Sequence, residues 1–192
     1  MKTPGKKTEN TKFLIGNSIY LRPVELEDLS RIHQWVNDPE IRPVYGEIFP
    51  KSIPDEKEWL EKMYEDKSRV WFVIVLEDTD KVIGDGGFLR IDYVWRTADL
   101  SILIGEKIEW NKGYGTETIH LLLDYGFKSL NLHRVSLGVF DFNKRAIKTY
   151  EKTGFKREGV LRDGYYCNNE YHDVIMMSIL EDEFWELQGK KH

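Results

Sequence analysis

Cysteine is nearly missing from this sequence: Cys167 is the only one in 192 residues. A disulfide within the chain is therefore excluded, and the usage fits a cytosolic setting. No apolar run approaches the roughly 18–20 residues that a membrane-spanning helix needs. An excess of positive charge is missing too. The 33 Asp and Glu outnumber the 28 Lys and Arg, for a formal charge of −5, so composition offers no basic face for nucleic acid. The start, MKTPGKKTENTK, is polar and Lys-rich with no apolar stretch behind it. No secretory signal is expected there, and residues 1–11 read as a flexible tail. The two standard nucleotide strings are also lacking. No G-x-x-x-x-G-K-[ST] occurs, and the near match to G-x-G-x-x-G puts Thr118 in the last place. The histidines (His33, His120, His133, His172, His192) show no metal-ligand spacing, and Cys167 stands five residues from His172 without a second pair, so no metal is expected. Neither an internal repeat nor a low-complexity linker is visible.

What remains is a mixed-charge chain with 41% hydrophobic residues, enough for one substantial core and one domain. Residues 12–24 hold two short β-rich pieces around Gly16-Asn17-Ser18, a hairpin signal. Residues 25–38 carry Leu29, Ile32, His33 and Val36 near helical spacing, closed by Asp38-Pro39. Three prolines and a glycine make 41–54 a loop or a broken helix. Trp59, Leu60, Met63 and Tyr64 share one face of a helix over 55–67. Strands follow at 69–77, 82–92 and 97–106. An amphipathic helix over 118–130 places Ile119, Leu122, Leu123, Phe127 and Leu130 inward. Gly126 in its interior costs about 1 kcal/mol relative to Ala unless close packing on a sheet offsets it. A strand at 133–140, a helix at 143–155 with Asn143 as N-cap and Gly154 at its end, and two strands around the 167–170 turn complete the pattern. Residues 182–192 read as a helical turn and tail. The fold class is α/β, more fully an α+β mixed sheet, with a parallel crossover near 98–140.

The stretch Trp110-Asn111-Lys112-Gly113-Tyr114-Gly115-Thr116-Glu117-Thr118 sits between a strand and a helix. Unpaired N–H groups and the helix dipole favour an anion at such a place. The run from WNKGYGTETIHLLLDYGF through LNLHRVSLGVFDFNKRAIKTYEKTGFKREGVLRDGYY resembles the coenzyme A site of the GNAT superfamily of N-acetyltransferases. The likeness covers roughly residues 18–181 and is densest from 98 to 180. It is greatest to the RimJ/RimL-like and spermidine-acetyltransferase-like branch. Gly113 and Gly115 fit that family's Q/R-x-x-G-x-G/A signature, whereas Trp110 stands where Gln or Arg is usual.

The resemblance implies a single GNAT domain over 12–181, with a mostly antiparallel sheet whose parallel strands splay apart, and acetyl-CoA as cosubstrate. It implies that N–H groups of Lys112, Gly113, Tyr114, Gly115 and Thr116 hold the pyrophosphate. Pantetheine would pair with the strand edge at Ser101, Ile102 and Leu103, and Asn143, Ala146 and Tyr150 would face the cofactor. Tyr150, in the YEKxGF position, would donate a proton to the leaving thiolate, which suits a phenol that is protonated at neutral pH. A strand N–H near Leu103 is the candidate oxyanion donor. Asp99, on the strand face of Ser101 and Leu103, is the candidate general base, with Asp85, Asp92 and Glu106 as alternatives that read first as solvated surface carboxylates. Cys167 is not needed as a nucleophile.

The resemblance places the acceptor between Val36 and Met63. There Asp38, Glu40, Glu47, Asp55 and Glu56 form an acidic lip that suits a cationic amine. A polyamine or other small amine is the expected acceptor. A protein N-terminal amine, as on a ribosomal protein, an amino sugar, and a non-catalytic acetyl-CoA-binding module are the alternatives. The apolar VIMMSIL stretch serves equally as a homo-oligomer edge or as a central strand. No nucleic-acid or membrane partner is expected.

Overall fold

The computed structural model describes residues 11–189; the expected tail at 1–11 lies almost wholly outside them. The chain runs β1 (Leu14–Ile15), β2 (Ile19–Pro23), α1 (Leu29–Val36), α2 (Arg42–Tyr45), α3 (Ile53–Glu65), β3 (Val70–Leu76), β4 (Val82–Asp92) and β5 (Thr97–Ile104). It continues through α4 (Tyr114–Lys128), β6 (Arg134–Phe140), α5 (Lys144–Lys152), β7 (Lys156–Cys167), β8 (Glu170–Leu180) and α6 (Glu181–Leu187). All eight strands form one sheet in the order β1-β2-β3-β4-β5-β6-β8-β7. VIMMSIL lies in β8, flanked on both sides, and β7 takes the edge.

Two apolar layers cover the sheet. One face packs against α4, α5 and α6 through residues such as Phe88, Ile119, Leu123, Tyr150 and Phe184. The other packs against α1 and α3 through Trp35, Leu60, Met63, Trp71, Val73 and Leu103. The expected boundary at residue 181 falls on the first residue of α6, whose Phe184 and Trp185 are buried in the larger core. Gly126 sits against that core so closely that a Cβ would lie 2.8 Å from Phe88 Cζ. Glu117, in the first turn of α4, accepts N–H groups of Asn17 (2.5 Å) and Ser18 (2.9 Å), which pins the β1–β2 turn to the helix.

Among the described residues only β5 and β6 run parallel, over Thr97–Asp99 against Arg134–Ser136. From Leu100 onward β5 stays paired with β4, as Gly86↔Ile102 and Asp85↔Leu103 show, while β6 continues beside β8. The two strands therefore part, and a gap opens at the end of β5, next to the N-termini of α4 and α5.

Candidate active site

A cavity of about 450 Å3 occupies that gap. It is lined by β5 from Leu100 to Ile104, by the approach to α4 and its first turn, by the end of β6, and by one side of α5. Gly113, the N-cap of α4, has φ +93°. A Cβ there would meet nothing within 4 Å, so the left-handed backbone, not space, favours glycine. Behind it, the N–H groups of Tyr114, Gly115 and Thr116 precede the first 1→5 bond, Glu117 N–H to the Gly113 carbonyl at 3.0 Å. With the positive end of the helix dipole they make an anion cradle. At Gly115 a Cβ would lie 3.9 Å from side-chain atoms of Ile102 and Ile104, an ordinary contact.

Trp110, the position that departs from the family signature, ties the cavity together. Its Nε1–H donates to the Ile104 carbonyl at 2.6 Å, and the Arg145 guanidinium lies 3.8 Å from its ring centroid. The end of β5, the α4 loop and the start of α5 are thereby linked. Burial pushes the Arg145 guanidinium below its ordinary pKa, an effect that a nearby anion reverses. Lys148 and Lys152, one and two turns on, line the same cavity. Asn143 caps α5, its Oδ1 accepting the Ala146 N–H at 3.2 Å, and both residues line the cavity.

Tyr150 follows one turn after Ala146, lines the cavity and is 8% exposed. Burial pushes its phenol up to about 12. It stays protonated at neutral pH, which is the state a proton donor needs.

Nine of the sequence-predicted cofactor positions besides Tyr150 line this cavity: Ser101, Ile102, Leu103, Gly113, Tyr114, Gly115, Thr116, Asn143 and Ala146. Lys112, expected to contribute its backbone N–H, is not in the lining, and its Nζ pairs with Glu109 at 2.8 Å. Asp99, the candidate base, is also absent from the lining. It sits in the closed, parallel-paired part of β5, where its carboxylate accepts from Ser136 Oγ and Arg90 Nε, both at 2.6 Å. The competitors have partners as well, Asp85 at one oxygen through the Trp71 indole. Asp92 accepts N–H groups in the β4–β5 turn, and Glu106 pairs with Arg31 and Lys81. Asp85 alone is deeply buried, at 1% exposure.

The expected acidic lip is largely neutralised. Asp38 and Glu40 both pair with Lys107, at 2.9 and 3.0 Å, and Glu47 pairs with Lys51 at 3.2 Å. Asp55 caps α3 through Ser52. Glu56 is the member left buried and outside any ion pair among the described residues. Sequence reasoning missed Tyr45, Phe140, Arg145, Lys148 and Lys152 as lining residues. The last three repeat at helical spacing on α5, a signal that was present; nothing in the sequence singles out Tyr45. Among the described residues no three His, Cys, Asp or Glu converge as a metal site, and no helix is long and apolar enough to cross a membrane.

Comparison with known proteins accords with this geometry. Residues 18–156 match the acetyltransferase (GNAT) domain family. The chain is 35% identical over 175 residues to an uncharacterized N-acetyltransferase, p20, of Bacillus licheniformis, covering 89% of this chain and 97% of that one. It is 33% identical over 171 residues to the spermidine N(1)-acetyltransferase of Vibrio cholerae, covering 88% and 97%. The crystal structure of spermidine N-acetyltransferase from Vibrio cholerae in complex with CoA and spermine superposes with a TM-score of 0.82 at 32% identity, over 87% of this chain and 98% of that one. The splayed strands, the anion cradle and the buried phenol thus have a common explanation: the chain belongs to the GNAT family and is an acetyl-CoA-dependent N-acetyltransferase.

Proposed function

We propose that the acceptor is a polyamine, acetylated at a primary amine by direct attack on acetyl-CoA. The observation that carries the catalytic part is the buried Tyr150 phenol in the wall of the cavity. The polyamine is supported by the likeness to spermidine acetyltransferases over nearly the whole chain. The roles divide by element. The N–H groups of Tyr114, Gly115 and Thr116 take the pyrophosphate, with Arg145, Lys148 and Lys152 supplying positive charge beside it. The β5 edge beyond Asp99, unpaired on its β6 side, offers backbone groups at Ser101, Ile102 and Leu103 to the pantetheine amides and the thioester oxygen.

Transfer forms the amide C–N bond and breaks the thioester C–S bond. Tyr150 donates its proton to the departing sulfur, and the proton that the attacking amine gives up passes to water, from which the Tyr150 phenolate is re-protonated, so that amine and acetyl-CoA become amide and coenzyme A. A thiol-release assay with acetyl-CoA and a panel of spermidine, spermine, an N-terminal peptide and an amino sugar tests the reading. The expected result is turnover confined to the polyamines. Preference for the peptide or the sugar, or coenzyme A binding with no turnover on any amine, overturns it.

A further inference from the structure

Asp85 lies on β4 opposite Val73 of β3 and Leu103 of β5. Residues opposed across antiparallel strands share a face, and here it is the face covered by α1, α2 and α3. Leu103 and Tyr45 belong to this layer and also line the cavity. Asp85 is therefore the next group inward from the cavity's α2 side. One carboxylate oxygen accepts the Trp71 Nε1–H at 3.2 Å, and the other has no hydrogen-bond partner among the described residues. Glu56, 6% exposed on α3, faces the same space, and among the described residues neither carboxylate makes an ion pair. Both are shifted upward, chiefly by burial, Asp85 to about 7, with Glu56 adding to the rise at Asp85. Tyr45 is raised as well, first by burial and then by Asp85, Glu56 and Glu47.

Two buried acids beside a cavity, neither in an ion pair and only Glu56 eased by a cation, Lys51, against the repulsion of Glu47 and Asp55, are costly to keep. A cation delivered by the substrate compensates such a site, and groups perturbed by burial cluster where function requires them. The geometry points to Asp85, backed by Glu56, as a specificity-determining positioning residue that acts across Tyr45 and Leu103 to draw the ammonium of a cationic acceptor into the α2 side of the cavity. This rests on the acceptor reading above, and it places the recognising charge within the fold rather than on the neutralised lip.

The test is Asp85→Asn, which keeps shape and an acceptor for Trp71. KM for spermidine is expected to rise about tenfold or more at pH 8, with KM for acetyl-CoA within about twofold and the melting temperature not lowered. An arylamine acceptor, uncharged at that pH, is expected to lose little. The fall of kcat/KM for spermidine below about pH 7, where Asp85 takes a proton, is expected to flatten in the variant. An unchanged spermidine KM and acid limb overturns the assignment, as does an equal loss for spermidine and the arylamine or a joint loss of acetyl-CoA affinity and melting temperature. Should Asp85→Asn not fold, Glu56→Gln carries the same comparison with a smaller expected rise. If the wild-type protein acetylates no polyamine, the acceptor reading fails by itself. Calorimetric titration of spermidine into the coenzyme A complex of wild type and variant then decides this one, and equal affinities overturn it.

Discussion

Asparagine at position 85 changes how the protein's stability depends on pH, in a direction set by burial. The Asp85 carboxyl is pushed up to about 7 in the folded chain, first by burial and then by Glu56, against the Trp71 hydrogen bond that lowers it. In the unfolded chain it returns to about 3.9. Between these values the folded state binds the extra proton, so this group's contribution is most favourable below about pH 4 and is lost as pH rises toward 7. A difference of about 3 pK units corresponds to roughly 4 kcal/mol in all, of which about 2.5 kcal/mol falls between pH 5 and pH 8. The Asp85→Asn variant lacks this loss. Its carboxamide inherits the place of the unpartnered oxygen, but any cost of that is independent of pH and cancels in the comparison. Groups held low, such as Glu158 beside Arg134, act with the opposite sign and are common to both proteins. Urea denaturation of the ligand-free proteins at pH 5 and pH 8 gives four free energies. From pH 5 to pH 8 the variant is expected to gain about 2.5 kcal/mol relative to wild type. The same pH dependence in both would show that Asp85 stays charged throughout, and the burial argument would fail.

Tyr150→Phe removes the proposed proton donor and keeps the ring against Phe155; kcat is expected to drop by about 100-fold or more with acetyl-CoA affinity nearly unchanged, and unaltered turnover in steady-state kinetics removes Tyr150 from the reaction. Gly113→Ala forces a side chain onto φ +93° without a steric contact, so a stability loss of about 1–2 kcal/mol is expected in denaturant melts, and no loss would refute the backbone argument. Gly126→Ala puts a methyl 2.8 Å from Phe88 and 3.2 Å from Leu132, both fully buried. Helix propensity gains about 1 kcal/mol, overpacking costs about 1–3, and a lower Tm is expected; a higher Tm would mean that Phe88 yields freely.

Most of the cofactor half of the site was legible in the chain because its chemistry is local. Gly113, Gly115, Asn143 and Tyr150, which line the cavity, sit on a turn and two short helix stretches, whose signals lie within a few residues of each other. The strands and long helices were readable for the same reason, since periodicity reports which face is buried. The acceptor half was not. The charges of Asp38, Glu40 and Glu47 look like a cationic-amine lip until the fold brings up Lys107 and Lys51 to pair with them. Asp99 shares an alternation with Ser101 and Leu103, yet β5 closes on β6 up to that residue and opens only after it. Nothing local distinguishes Asp85 from any carboxylate in a glycine-rich strand. Its burial comes from α2 and α3 folding across the sheet. The sequence by itself determined the family, the sheet-and-helix order and the anion cradle. Only the tertiary structure decided which acids are paired and which is left unpartnered, because a carboxylate's behaviour depends on desolvation and on partners distant in the chain.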